Sequence, residues 1–231
     1  IVVDENKFVA KGVNGIWDIL SKETFTGYFG EQKNLVAGAR YRPLSLVSFA
    51  IEHSIFGKKP GISHFINILL YALCGLFFYR LIINLKIIAD KNAGIYMALI
   101  AHPIHSEAVA NIKGRDEIMC LLFSLIALFQ FIQYYDSKQL SNIWKASISF
   151  FFALLSKENA ITYLAIVPLT LVVFRNVTLF SAIRKTWPLL FVALIFLIIR
   201  TEVIGYFFNS GVKITDLMND PFIGMKSSEK F

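Results

Sequence analysis

From residue 65 onward, long apolar runs alternate with short charged loops. The runs fall at Phe65 to Leu85, Ala93 to Ala101 with an amphipathic extension, Ile118 to Tyr135, Trp144 to Leu155, Ala160 to Phe174 and Pro188 to Ile204. Several are shorter than the ~20 residues a helix needs to cross a bilayer. The pattern therefore predicts tilted helices, or helices that continue into polar stretches lining a protected cavity. About six transmembrane helices over 65–205 follow, unless Trp144 to Phe174 form one long helix and two crossings are lost.

The polar first part, residues 1–64, has its own pattern. Ile16, Trp17, Ile19 and Leu20, then Phe25, Tyr28 and Phe29, make an aromatic-rich amphipathic stretch of the kind that lies in a membrane interface. After Pro43, well placed for the first turn of a helix, Leu44, Val47, Ala50, Ile51 and Ile55 recur at helical spacing. Gly57-Lys58-Lys59-Pro60-Gly61 reads as a turn. The expectation is a large loop carrying two surface-lying helices.

Composition sharpens this reading. With 56% hydrophobic and only 17% charged residues and a mean hydropathy of +0.59, the chain has more apolar surface than a 231-residue soluble core can hide. Cys74 and Cys120 sit inside apolar runs and suggest neither a disulfide framework nor a metal knuckle. The net charge of +7 is scattered in short clusters rather than gathered in a stripe, which argues against nucleic acid. The start at Ile1 and the stop after a polar stretch fit a piece of a longer protein.

The positive-inside rule orders the loops. Lys86 and Lys91, then Lys138 and Lys145, then Arg175, Arg184 and Lys185 mark cytoplasmic loops, with Asp90 and Asp136 as their only acids. The intervening loops, around His102 to Glu117 and at Lys157-Glu158, balance bases with acids and are expected on the other side. Residues 1–64 and the tail 206–231 are expected on that non-cytoplasmic side too.

Candidate chemistry gathers in those outer loops. His102-Pro103-Ile104-His105-Ser106-Glu107, followed by Asn111, Lys113, Gly114, Arg115, Asp116 and Glu117, ends an apolar run. Ionisable groups at membrane depth are costly and are functional suspects, although a hydrated loop would also carry such charges. In a helix, His102 and His105 would share a face, with Lys113 and Arg115 beyond them as phosphate partners. A metal site built from the two histidines and Glu107 is a weaker alternative, because the spacing is short and Pro103 disturbs it.

Ser156-Lys157-Glu158-Asn159 reads either as a helix-to-helix turn with a local ion pair or as a substrate contact. In the second reading Lys157 meets a phosphate, and Glu158 meets Lys157 or a sugar hydroxyl. Arg40 and Arg42, flanking Tyr41, suit lipid headgroups or a bidentate phosphate clamp. Arg80 and Arg200 fit snorkelling to the interface. Asp4 and Glu5 are adjacent acids in the first loop, where a general base would be wanted.

Taken together, Arg42-Pro43-Leu44-Ser45, the Ser63 to Leu70 run, His102 to Val109, Lys113-Gly114-Arg115-Asp116 and Leu155-Ser156-Lys157-Glu158 resemble the transmembrane and tetratricopeptide-repeat (TMTC) protein O-mannosyltransferase family, including its bacterial relatives. The resemblance covers roughly residues 1–174. It implies an all-α membrane fold, a polytopic helix bundle of GT-C type with a large first non-cytoplasmic loop bearing interfacial helices.

It also implies transfer of a mannosyl unit from a polyprenyl-phosphate donor to a protein hydroxyl, in a bacterial plasma membrane or the endoplasmic reticulum. The implied partners are the lipid-linked donor, an acceptor polypeptide and the bilayer, with tetratricopeptide repeats downstream. No metal or other cofactor is assigned. The family's acidic pair in the first outer loop maps just upstream of Ile1, so Asp4 is a substitute for the catalytic carboxylate rather than its match. Arg42, Lys113, Arg115 and Lys157 suit the leaving phosphate. His102 and His105 would hydrogen-bond that phosphate or hold the loop, and Glu107, Asp116 and Glu158 complete the expected substrate-binding set. A lipid-linked-sugar flippase would need charges buried mid-span and repeat symmetry. A noncatalytic scaffold presenting downstream repeats is the third class considered.

Overall fold

A computed structural model describes residues 5–31, 39–87 and 105–206, and within them the chain is helical with no strand. Asp4, His102, the Ala93 to Ala101 run and residues 207–231 lie outside the described residues. The first loop folds as three short helices, α1 (Lys7–Ala10), α2 (Ile16–Ser21) and α3 (Thr26–Phe29), with a 3-10 turn at Gly12–Gly15. α1, α2 and the 3-10 turn rest on α4 (Pro43–Phe56), which starts at Pro43 as its fixed φ favours, and α3 packs on α1. Val9, Ile19, Leu46, Phe49 and Ala50 form the small core between them. Ile19 thus points inward, while Trp17 is 77% exposed on the outer face.

After the turn at Gly57, α5 (Pro60–Asn84) runs for 25 residues. A short α6 (Ser106–Ala110) and a 3-10 turn (Ile112–Gly114) lead into α7 (Arg115–Ser137). Then come α8 (Leu140–Ser156), a 3-10 turn (Glu158–Thr162), α9 (Tyr163–Arg175), α10 (Leu179–Lys185) and α11 (Trp187–Ile204). Among the described residues, four segments are long and apolar enough to cross a membrane: Pro60–Asn84, Ile112–Ser137, Glu158–Arg175 and Trp187–Ile204. Leu140–Ser156 is a shorter apolar helix between two of them. The apolar stretch from Trp144 to Phe174 is not one helix, because the backbone is extended at Lys157.

α7 is the hub. It packs on α5 and α8, and α8 packs on α11. Leu128, Phe131, Ile132, Ala146, Phe150, Ala153, Leu154 and Phe196 are buried at the centre. Outward faces stay apolar, as with Phe65 and Leu69 on α5 and Phe191 and Ile198 on α11. A soluble protein would hide or replace such side chains; lipid is their natural solvent.

Ion pairs and hydrogen bonds tie the bundle at both ends. At one end, Arg175 at the end of α9 chelates Asp136 of α7 at 2.7 and 2.8 Å and reaches the Asn84 side chain at 3.3 Å. The loops grouped by excess positive charge therefore meet there. The mixed-charge loops meet at the other end.

Candidate functional site

The N-terminus of α7 is built for polar work. Asn111 closes the preceding turn by accepting the Lys113 N–H at 3.1 Å. Gly114 is required there, since a Cβ would lie 2.1 Å from the Ala108 carbonyl oxygen. Asp116 and Glu117 then occupy the first helical turn, where the exposed N–H groups favour negative charge. At the end of α8, the extended Lys157 turns successive side chains to opposite sides. Glu158 accordingly turns to Arg42, and Lys157 pairs with Glu117 instead of with its neighbour.

Arg42, the residue before Pro43, is the keystone of this end. Its Nε and one terminal nitrogen donate to the two Glu158 oxygens at 3.1 and 2.8 Å, and its other terminal nitrogen donates to Asp116 at 2.9 Å. Burial, the largest single influence, lowers the Arg42 pKa, yet the Glu158 and Asp116 carboxylates together hold it above its ordinary value. One guanidinium thus joins the first loop to α7 and to the α8–α9 break.

These residues border a cleft of about 630 Å³. Of the residues singled out in the sequence, Arg40, Arg42, His105, Glu107, Asn111, Lys113, Gly114, Asp116, Glu117 and Lys157 line it. Glu158 backs the cleft through Arg42. Asp4 and His102 lie outside the described residues, and so does any grouping of both histidines with Glu107. Among the described residues, no three His, Cys, Asp or Glu side chains form a set able to hold a metal.

Arg115 does not join the cleft. Its side chain is 0% exposed and points into the protein, where it pairs with Glu52 at 2.8 Å. It also donates to Asn67 at 2.8 Å, the Ser63 carbonyl at 3.0 Å and Ser48 at 3.3 Å, with its carbon centre 3.9 Å from the Phe49 ring centroid. Its donors are spent on α4 and α5, so it braces the site rather than meeting a ligand.

Sequence reasoning passed over Tyr71 and Phe25. Tyr71 of α5 lines the cleft and stands 5.9 Å from the His105 ring. Its one signal was a polar-tipped aromatic within an apolar run. Phe25 carries two cations: Arg40 at 5.5 Å and Lys113 at 5.9 Å from its ring centroid. Among the described residues neither cation forms an ion pair with a carboxylate, whereas Arg42 and Lys157 do. Among the described residues, the cleft therefore offers two cations without a carboxylate partner beside two neutralised ones.

Fold and hydropathy together define an all-α, multi-pass integral membrane protein with a charged cleft at one end of its bundle. No family model matches the chain, and no solved structure matches it. Among characterised proteins it is 34% identical over 135 residues to human protein O-mannosyl-transferase TMTC2, covering 54% of this chain and 16% of that protein. Mouse protein O-mannosyl-transferase TMTC3 is 31% identical over 134 residues, 54% of this chain and 14% of that protein. The Caenorhabditis elegans protein O-mannosyl-transferase F38B6.6 is 37% identical over 93 residues, 38% of this chain and 13% of that protein. The TMTC resemblance carried by the motifs is thus a homology over about half the chain, while the chain spans at most 16% of the length of these relatives.

Proposed function

We propose that this chain carries the membrane part of a GT-C-type glycosyltransferase that moves a sugar from a polyprenyl-phosphate donor to a protein hydroxyl on the non-cytoplasmic side. Mannose is the sugar named in the activity of its relatives. A bacterial plasma membrane or the endoplasmic reticulum would house it. The observation that supports this most is the cleft at the ends of the apolar helices, lined by Arg40, Arg42, Lys113 and Lys157 together with carboxylates.

The chemistry suits those residue types. As the sugar's anomeric carbon leaves the phosphate oxygen and bonds to the acceptor oxygen, negative charge grows on the phosphate. Preorganised cations stabilise that charge, and Arg40 and Lys113, which have no carboxylate partner among the described residues, suit that role. The acceptor's proton needs a carboxylate. Asp116 and Glu117 are committed to Arg42 and Lys157, whereas Glu107 forms no ion pair among the described residues. Glu107 therefore stands beside Asp4 as a candidate base. His105, held against Tyr71, would hydrogen-bond the phosphate or shape the cleft wall.

The test offers purified full-length protein a labelled polyprenyl-phosphate mannose and an acceptor polypeptide. Label should move to the polypeptide, and Lys113→Ala should slow transfer on the order of 10²-fold. If other lipid-linked sugars transfer while mannose does not, the sugar is wrong. Full activity in both Lys113→Ala and Arg42→Ala would remove the cleft from the reaction.

A further inference from the structure

At the far end of the bundle from the cleft, an apolar groove of about 830 Å³ runs between α8 and α11. That volume falls within the roughly 300–1,000 Å³ of ligand-sized clefts. Ile143, Trp144, Ile148 and Phe151 of α8 form one wall, and Trp187 and Phe191 of α11 form the other. The two tryptophans are 68% and 66% exposed, each near the N-terminal end of its helix. Tryptophan favours such a position at the boundary between hydrocarbon and headgroups.

Two lysines converge at the rim. Lys138, from the turn between α7 and α8, places its ammonium 4.1 Å from the Tyr135 ring centroid. Lys185, at the end of α10, places its own 4.7 Å from the same ring. Tyr135 adjoins Tyr134, which lines the groove, and Lys138 and Lys185 stand two residues before the lining Leu140 and Trp187. Among the described residues neither lysine has a carboxylate partner, because neighbouring Asp136 is chelated by Arg175. Two ammonium groups drawn from separate loops onto one ring, beside an Asp136 already neutralised by Arg175, make a locus of net positive charge. Directly beside it lies hydrocarbon-lined space.

We infer that the groove, with Lys138 and Lys185, is a binding site for one anionic phospholipid, its acyl chain between Trp144 and Trp187 and its headgroup phosphate on the two lysines. Charge complementarity selects this occupant. The Lys138 ammonium donates to the Tyr135 carbonyl, but a neutral lipid or an apolar helix in the groove would bring neither lysine an anion, and a small soluble anion would leave the groove empty. The inference is independent of the proposed transferase reaction. Basic residues at a membrane surface each favour anionic lipid by roughly fivefold.

In full-length protein, Trp17 and every tryptophan outside residues 1–231 are replaced by phenylalanine, which leaves Trp144 and Trp187 of the groove as the tryptophan fluorophores. This protein, in phosphatidylcholine nanodiscs, is titrated with phosphatidylglycerol or phosphatidylcholine brominated on the acyl chain. Brominated phosphatidylglycerol should reach half-maximal quenching at on the order of a tenfold lower mole fraction than brominated phosphatidylcholine. Adding K138Q and K185Q should erase that preference and leave quenching by the neutral lipid unchanged. Equal quenching by both headgroups in the parent would overturn the inference, as would a preference that survives loss of both lysines. Absence of quenching by either lipid would also overturn it, since polypeptide would then cover the groove.

Discussion

Arg115 and Asp116 are sequence neighbours with opposite duties, one buried in support of the site and one facing the cleft. Removing only one partner of a buried ion pair strands a charge, which costs about 3–5 kcal/mol, while replacing both partners with apolar residues is often nearly neutral. Arg115→Met should therefore destabilise the protein by about that amount, and Glu52→Met combined with it should restore most of the loss. Thermal unfolding in lipid reads both; an unchanged midpoint for Arg115→Met would contradict the brace. Glu23 makes a second residue-scale case. Its buried carboxylate accepts N–H groups from Phe25 and Arg40 at 2.8 and 3.1 Å. Burial, the larger influence, nonetheless raises its pKa above the ordinary 4.5. Folding thus favours the protonated form, so this contribution is fully present below pH 4.5 and is lost as pH rises toward the higher folded value. Relative to Glu23→Gln, which cannot titrate, the parent's unfolding midpoint should fall across that window and run parallel above it. A relative rise with pH would refute the assignment.

At the scale of elements, the docking of the first-loop helices depends on Gly12. Its φ of +61° suits glycine, and a Cβ there would lie 2.1 Å from the Ser54 hydroxyl oxygen of α4. That hydroxyl also receives the Val13 N–H at 2.8 Å. Gly12→Ala should cost roughly 1–3 kcal/mol through strain and displacement and speed limited proteolysis within residues 5–31. Unaltered cleavage would show that the turn docks some other way. Apolar runs located the long helices, yet α5 begins at Pro60, before the run at Phe65. The extra turn contains Ser63, a buried polar residue whose carbonyl accepts from Arg115 at 3.0 Å and whose hydroxyl donates to Glu52. Likewise α8 starts at Leu140, and Asn142 and Lys145 interrupt its early apolar pattern. Hydropathy reads what contacts lipid or core, and a polar residue satisfied inside the protein is silent to it.

At the scale of the whole molecule, the candidate chemistry was legible as residue types but not as partnerships. Arg42 is 74 residues from Asp116 and 116 from Glu158 along the chain, and no local pattern announces such a junction. Adjacent charges suggested a Lys157–Glu158 pair; the extended backbone between them sends each elsewhere. Arg115 looked like a phosphate ligand because its burial arises from α4 and α5, distant in sequence. What loop charge did convey was grouping: Asn84, Asp136 and Arg175 meet at one end of the bundle, and Arg42, Asp116, Glu117, Lys157 and Glu158 at the other.

The proposed reaction requires the second of these ends to open on the non-cytoplasmic side. Single cysteines at positions 113 and 138, introduced into full-length protein with Cys74, Cys120 and every cysteine outside residues 1–231 replaced by alanine, can be probed in sealed vesicles with a membrane-impermeant thiol reagent. The account predicts that position 113 is modified only from the non-cytoplasmic face and position 138 only from the cytoplasmic face. Modification of position 113 from the cytoplasm would contradict it, because the cleft would then face away from the acceptor the reaction requires.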